Sequence, residues 1–174
     1  MDTPRAGRIG LTVILALYGF ALLRHPDMGS LMDSVDLPIH ETGHLVFSPF
    51  GEFVQFLGGT LFQLIMPSAF VAYFLHRRDR HAASVALWWV AQNFWNISVY
   101  VKDARNQDLD LVGGGEHDWA YLLGHLGWLK QDQRIGHGIW LIGVLLFLVA
   151  IVGGLVAAMS PSAKPDEAAE PVAG

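Results

Sequence analysis

The chain has 174 residues, of which 52% are apolar and only 16% charged, and its formal net charge is −5. A mean hydropathy of +0.37 is too high for an ordinary water-soluble domain. The absence of cysteine excludes disulfides and thiolate metal sites, and the acidic balance argues against a nucleic-acid partner.

Met1 to Arg8 is short and basic through Arg5 and Arg8, and Ile9 to Leu23 is apolar but slightly short for a membrane span. The charged start and core length fit a signal peptide. The following Leu22-Leu23-Arg24-His25-Pro26 offers no small-x-small cleavage site, however, so an uncleaved first span is predicted. Arg24 to Val35 is a polar link carrying Asp27 and Asp33, with Asp36 just beyond it.

Asp36-Leu37-Pro38-Ile39-His40-Glu41-Thr42-Gly43-His44 contains H-E-x-x-H. Asp36 is placed to cap a helix, and Pro38 is tolerated in a first turn. At about 3.6 residues per turn, His40 and His44 stand one above the other and can grip one metal ion. Glu41 is rotated by roughly 100° from His40, where a general base takes a proton from metal-bound water. Zn2+ suits such a donor set, because imidazoles and a carboxylate leave its fourth position open. The motif segment, about Leu37 to Phe47, is too short to cross a membrane and ends at Ser48-Pro49-Phe50-Gly51.

Phe53 to Leu75 reads as a second hydrophobic helix, with Pro67 as a candidate kink. Its Gln55, Gly58, Gly59 and Gln63 form one small, polar stripe that should face the protein interior. His76-Arg77-Arg78-Asp79-Arg80-His81 is a tight charged turn, cytoplasmic under the positive-inside rule, and its two histidines are read as interfacial. Ala82 to Lys102 is the third long helix. Gln92, Asn93, Asn96, Tyr100 and Asp103 recur along one face of it, either as glue between helices or as a functional stripe. Asp103 emerges opposite the arginine turn, on the side predicted for His40 and His44.

His40-Glu41-Thr42-Gly43-His44 resembles the H-E-x-G-H of site-2-protease-type intramembrane zinc metalloproteases. Those enzymes carry the motif on the first of three core helices, and a later helix supplies an aspartate ligand preceded by an asparagine. The resemblance spans about Asp36 to Arg105. It implies His40, His44 and Asp103 as zinc ligands, Glu41 as the base, and Asn96 as the upstream asparagine. Asp103-Ala104-Arg105 departs from the family pattern, which has glycine after the aspartate and a proline-rich approach to it.

Asn106 to Arg134 is polar and holds Gly113-Gly114-Gly115-Glu116-His117-Asp118-Trp119. A three-glycine joint would let His117 or Asp118 swing into the metal's coordination sphere or support it from outside. In the alternative arrangement Asp118 caps the next helix and His117 is exposed. Trp119, Leu122, Leu123 and Leu126 predict an amphipathic helix on the membrane surface. His125 and His137 read as interfacial, and Trp119, Trp128 and Trp140 suit an aromatic belt. A last span is predicted over about Ile135 to Met159, and a disordered cytoplasmic tail over Ser160 to Gly174.

The expected architecture is all-α. Residues 1–159 would form one polytopic membrane domain of about four transmembrane helices, with a short motif helix and a surface helix. Gln63, Asn93 and Asn96 are its expected polar interior. The expected location is a cell membrane, the inner membrane in a bacterium, with both termini cytoplasmic. The expected partners are membrane lipids and a protein or peptide substrate. The function these residues suggest is zinc-dependent peptide hydrolysis near the membrane. A non-catalytic metal or haem binder, with His40 facing His117 or His125, and a metal-free scaffold are the other classes considered.

Overall fold

The computed structural model describes residues 5–25, 29–110 and 115–160, and its described secondary structure is entirely helical. The tail over 161–174, the first four residues, Asp27, and Gly113 and Gly114 of the glycine joint lie outside the described residues. Six α-helices follow one another: α1 (Arg5–Arg24), α2 (Asp33–Phe47), α3 (Glu52–His76), α4 (Arg80–Lys102), α5 (Asp118–His125) and α6 (Asp132–Met159). Short 3₁₀ turns at Ser48–Phe50 and Leu129–Gln131 precede α3 and α6.

Among the described residues, three segments are long and apolar enough to cross a membrane: Arg5–Arg24, Glu52–His76 and Leu129–Met159. Their outer faces carry exposed leucine and valine, such as Leu17, Leu145 and Val152. The 23-residue α4 is not among them. It is the central helix, packing along α6 and against α1 and α3. Trp88, Ala91, Gln92, Asn93, Trp95, Ile97 and Val101 are all buried along it. A helix covered by protein need not be apolar all round, which is why α4 can carry Gln92, Asn93 and Asn96.

Helix directions follow from the close approaches. A Cβ on Gly143 of α6 would meet Trp95 of α4 at 2.6 Å, and one on Gly136 would meet the Ser98 carbonyl at 2.9 Å, so these two helices are antiparallel. Thr12 of α1 lies against Gly154, and Gly19 lies against Phe147, so α1 is antiparallel to α6 as well. His81 Nε2 at the start of α4 sits 3.0 Å from the Arg8 carbonyl and 3.1 Å from Thr12 Oγ1. The interfacial histidine expected there is therefore a clamp between α1 and α4. One end of the bundle gathers the start of α1, the arginine turn and the end of α6, and the other gathers α2, α5 and the start of α6.

That second end is held by polar contacts between α6 and the end of α4. Asp132, completely buried, pairs with Arg105 Nε at 2.8 Å, and Gln133 Nε2 donates to the Lys102 carbonyl at 2.7 Å. Asp132 is covered by its neighbours but Arg105 is half-exposed, and the pair ties the turn after α4 to α6.

One local expectation needs correction. The motif helix starts at Asp33, earlier than Leu37, with Pro38 inside it, and Asp36 is no cap. Asp36 is buried, and its Oδ1 accepts from Trp89 Nε1 at 2.7 Å and from Asn93 Nδ2 at 3.3 Å. The start is set by Asp33, whose Oδ2 accepts the Ser30 backbone N–H at 2.6 Å. The helix after the glycine joint sinks Leu122 and Leu123 into the bundle, leaving Leu126 exposed. Tyr121 of that helix also stacks on Phe56 of α3, with ring centroids 4.1 Å apart.

Candidate metal centre

Motif helix α2 lies against α3 at a point where both backbones are bare. A Cβ on Gly43 would strike the Gly58 carbonyl, and one on Gly58 would come within 2.6 Å of Phe47 Cβ. The glycine of H-E-T-G-H is therefore the contact that seats the motif. One residue on, a Cβ at Gly59 would lie 2.5 Å from His40 Nε2, so this glycine makes room for the imidazole. The small-residue stripe of α3 is in this way explained by the motif it receives.

His40, His44 and Asp118 form a group whose ligand atoms all lie within 4.8 Å of one another. Asp118 Oδ2 is 2.8 Å from His40 Nε2 and 3.3 Å from His44 Nε2. The opposite edge of each ring faces an oxygen. His44 Nδ1 lies 2.8 Å from the Gln55 carbonyl, and His40 Nδ1 lies 3.1 Å from Gln63 Oε1. A carbonyl oxygen only accepts, so each Nδ1 carries the proton, and in a neutral ring Nε2 presents its lone pair toward Asp118. Two lone pairs and a carboxylate directed at one point repel one another unless a cation or extra protons lie between them. Outer partners on the far ring nitrogens are the usual mark of metal-binding histidines.

The electrostatics reflect this crowding. The Asp118 carboxylate beside His44 pushes its imidazole up to about 9, outweighing the opposing effect of burial. Burial pushes the Asp118 carboxyl up, but hydrogen bonds to His40 and His44 outweigh it and hold the group below the usual carboxylate range.

Asp103, the ligand implied by family resemblance, is not in this group. Its Oδ1 and Oδ2 accept the backbone N–H groups of Asp108 and Leu109 at 2.9 and 3.1 Å, closing the turn after α4. His117, only 1% exposed, sits 3.3 Å from Asp103 Oδ2 through Nε2 and caps α5 by accepting the Ala120 N–H at Nδ1. The capping alternative is thus reversed: His117 is the cap, and Asp118 faces the histidines. Asp103 and His117 act together as a buttress that delivers Asp118, and Tyr100 Oη adds a contact by accepting the Asp118 N–H at 3.1 Å. His125, the other haem candidate, packs on Phe53 and Tyr121.

Glu41 is exposed and lines the same cavity of about 710 Å³ as His40, His44 and Asp118. Gln55, Phe56, Trp95, Tyr100 and Glu116 contribute further walls. Asn93 and Gln63 are buried, Asn96 is half-buried, and each makes side-chain hydrogen bonds between helices. The Gln55 carbonyl and Asp33 are the contributors that residue types alone did not single out. A backbone oxygen leaves no sequence signal, and Asp33 looked like one more acid in a polar link.

No protein-family model, no curated protein and no solved structure matches the chain.

Proposed function

We propose that the protein is a membrane-embedded zinc metallopeptidase, with His40, His44 and Asp118 as ligands and Glu41 as general base. The observation that carries this reading is the convergence of two outward-braced imidazoles on one carboxylate, with a glutamate of the same helix in the adjoining cavity. Two imidazoles and a carboxylate are a common catalytic zinc set, leaving a position for water or substrate. Zinc held there would supply a Lewis acid and lower the pKa of bound water from about 15.7 to roughly 7.

Glu41 would be the base for this chemistry, positioned to take a proton from water at the open position and to return it to the departing amine. The cavity volume of about 710 Å³ falls within the range of sites that enclose a small ligand or a short stretch of peptide. This reading retains the mechanism implied by the site-2-protease resemblance and exchanges its third ligand for Asp118.

The same proposal places the chain in a cell membrane, with lipids around α1, α3 and α6 and with α4 as a fourth, protein-covered crossing. The arginine turn, the start of α1 and the end of α6 share one end of the bundle, which the positive-inside rule makes cytoplasmic. The metal centre then opens toward the outer face.

Glu41→Gln tests the function. The variant should retain stoichiometric zinc by metal analysis and lose peptide hydrolysis by at least the about 10²–10⁴ typical of a missing general base. Loss of zinc together with activity would make Glu41 a ligand or a fold element and sink the hydrolytic assignment. Retained zinc with unchanged cellular phenotype would leave a non-catalytic metal binder.

A further inference from the structure

A string of hydrogen bonds leaves the metal centre, crosses two helices and returns to the helix it started from. His40 Nδ1 on α2 faces Gln63 Oε1 on α3 at 3.1 Å. Gln63 Nε2 donates to Asn96 Oδ1 on α4 at 3.0 Å. Asn96 Nδ2 donates to Asp33 Oδ1 on α2 at 3.2 Å. Asp33 also receives Gln92 Nε2 at 3.1 Å and the Ser30 N–H at 2.6 Å.

The direction of this string is set at its far end. An amide side chain can turn either its oxygen or its nitrogen toward a neighbour. Asp33 carries a carboxylate, which when ionised can only accept, and the fixed Ser30 N–H already donates to it. Asn96 must therefore turn its nitrogen to Asp33 and its oxygen to Gln63. Gln63 must then spend its nitrogen on Asn96, which leaves only its oxygen for His40. His40 is left with one neutral tautomer, the one with hydrogen on Nδ1 and the lone pair on Nε2. If Gln63 were free to rotate, its N–H could face His40 and select the opposite, non-ligating form.

We propose that Gln63, Asn96 and Asp33 are positioning residues of the metal centre, transmitting the acceptor character of a carboxylate through two amides to set the tautomer of His40. This rests on the zinc reading above and adds to it the reason for polar residues deep in α3 and α4. None of the three touches the metal. His44 needs no such device, because the Gln55 carbonyl facing its Nδ1 cannot reverse.

The test measures zinc affinity of the full-length, detergent-solubilised protein by competition with a chromogenic chelator. It is paired with 15N chemical shifts of the His40 ring in the metal-free state. Asn96→Leu cuts the string two residues from the metal and should lower affinity by the about 10–100-fold of an outer partner. Adding Gln63→Glu to Asn96→Leu should restore the affinity, since a carboxylate at position 63 accepts from Nδ1 in any orientation. In the metal-free protein Asp118 can hold a proton on His40 Nε2, so the ring shifts should report a proton on Nδ1 in the wild type and in the double variant, and its partial loss in Asn96→Leu.

Should Asn96→Leu fail to fold, Gln63→Met against the pair Asn96→Ala with Gln63→Glu decides the matter, with loss expected only for the first. Wild-type affinity in Asn96→Leu or Gln63→Met, or failure of Gln63→Glu to rescue, would overturn the proposal while leaving the zinc centre intact. A wild-type protein that binds no zinc would instead overturn the centre itself.

Discussion

The Oδ2 atom of Asp118 lies 2.8 Å from Nε2 of His40, although 78 residues separate the two in the chain. The contact joins the motif helix to a short helix at the far side of a polar loop. The loop is anchored by Asp103, which binds two of its backbone N–H groups, and by His117, which caps the helix carrying Asp118. Asp103 thereby holds the loop that leads to Asp118 while lying outside the group formed by His40, His44 and Asp118.

The first prediction separates these two aspartates. Asp118→Ala removes the proposed ligand oxygen and should lower zinc affinity well beyond the about 10–100-fold of an outer-sphere change. Asp103→Ala should fall within that range, because the loop loosens while Asp118 is still present. Chelator competition on both variants decides between them, and a larger loss for Asp103→Ala would return the ligand role to it.

The two glycines beneath the motif should differ in what they damage. Gly43→Ala drives a methyl group into the Gly58 backbone, which can yield only if α2 and α3 separate. Thermal denaturation should show a loss of about 1–3 kcal/mol, the usual range for overpacking. Gly59→Ala meets a side chain, the His40 imidazole, which can swing away. It should cost less stability and more zinc. Equal loss of both properties in the two variants would contradict the packing described for the motif.

pH should act oppositely on the metal-free and zinc-loaded protein. Asp118 raises the His44 imidazole from 6.5 to about 9, so in the absence of metal their pairing stabilises the fold fully below about 6.5. That contribution is lost as pH rises through 9. The Asp118 carboxyl is lowered from 3.8, so its share is present above that value and disappears as acid protonates it. Zinc requires the His44 ring without its Nε2 proton, so binding gains as pH rises toward 9. The rise in Tm on adding zinc should therefore be larger at pH 9 than at pH 6, and the reverse trend in a melting series would exclude His44 as a ligand.

Asp36 offers a stabilising substitution. Burial raises its carboxyl from 3.8 to about 6, and its Oδ2 atom has no partner, as is also true of Gln92 Oε1. Asp36→Asn removes the buried charge while keeping an oxygen for Trp89 Nε1 and Asn93 Nδ2. An unsatisfied buried acceptor costs about 1–3 kcal/mol, and a gain of that order is expected at pH 8. Because a carboxyl with a raised pKa destabilises the fold only as it ionises, the gain should shrink as pH falls below 6. A lower Tm for the variant at pH 8 would mean that the charge is balanced by a group not bonded to it here.

Much of this molecule was legible in the residues themselves. Apolar runs marked α1, α3 and α6, since segments of such length and hydropathy are inherently helical in a membrane. The four-residue spacing of His40 and His44 put both rings on one face, because local helical geometry alone decides that. The stripe of Gln63, Asn93 and Asn96 was recognisable as interior, since lipid offers amides no partners. Tertiary structure alone decided that Asp118, and not Asp103, meets the histidines. Both residues are predicted on the side of the histidines, and the choice between them depends on the contacts of His117 and Asp103. It likewise decided that Asp33, Asn96 and Gln63 form one directed string. Hydrogen-bond direction depends on which atom of each amide faces its neighbour, and that is a property of three packed helices rather than of any one of them.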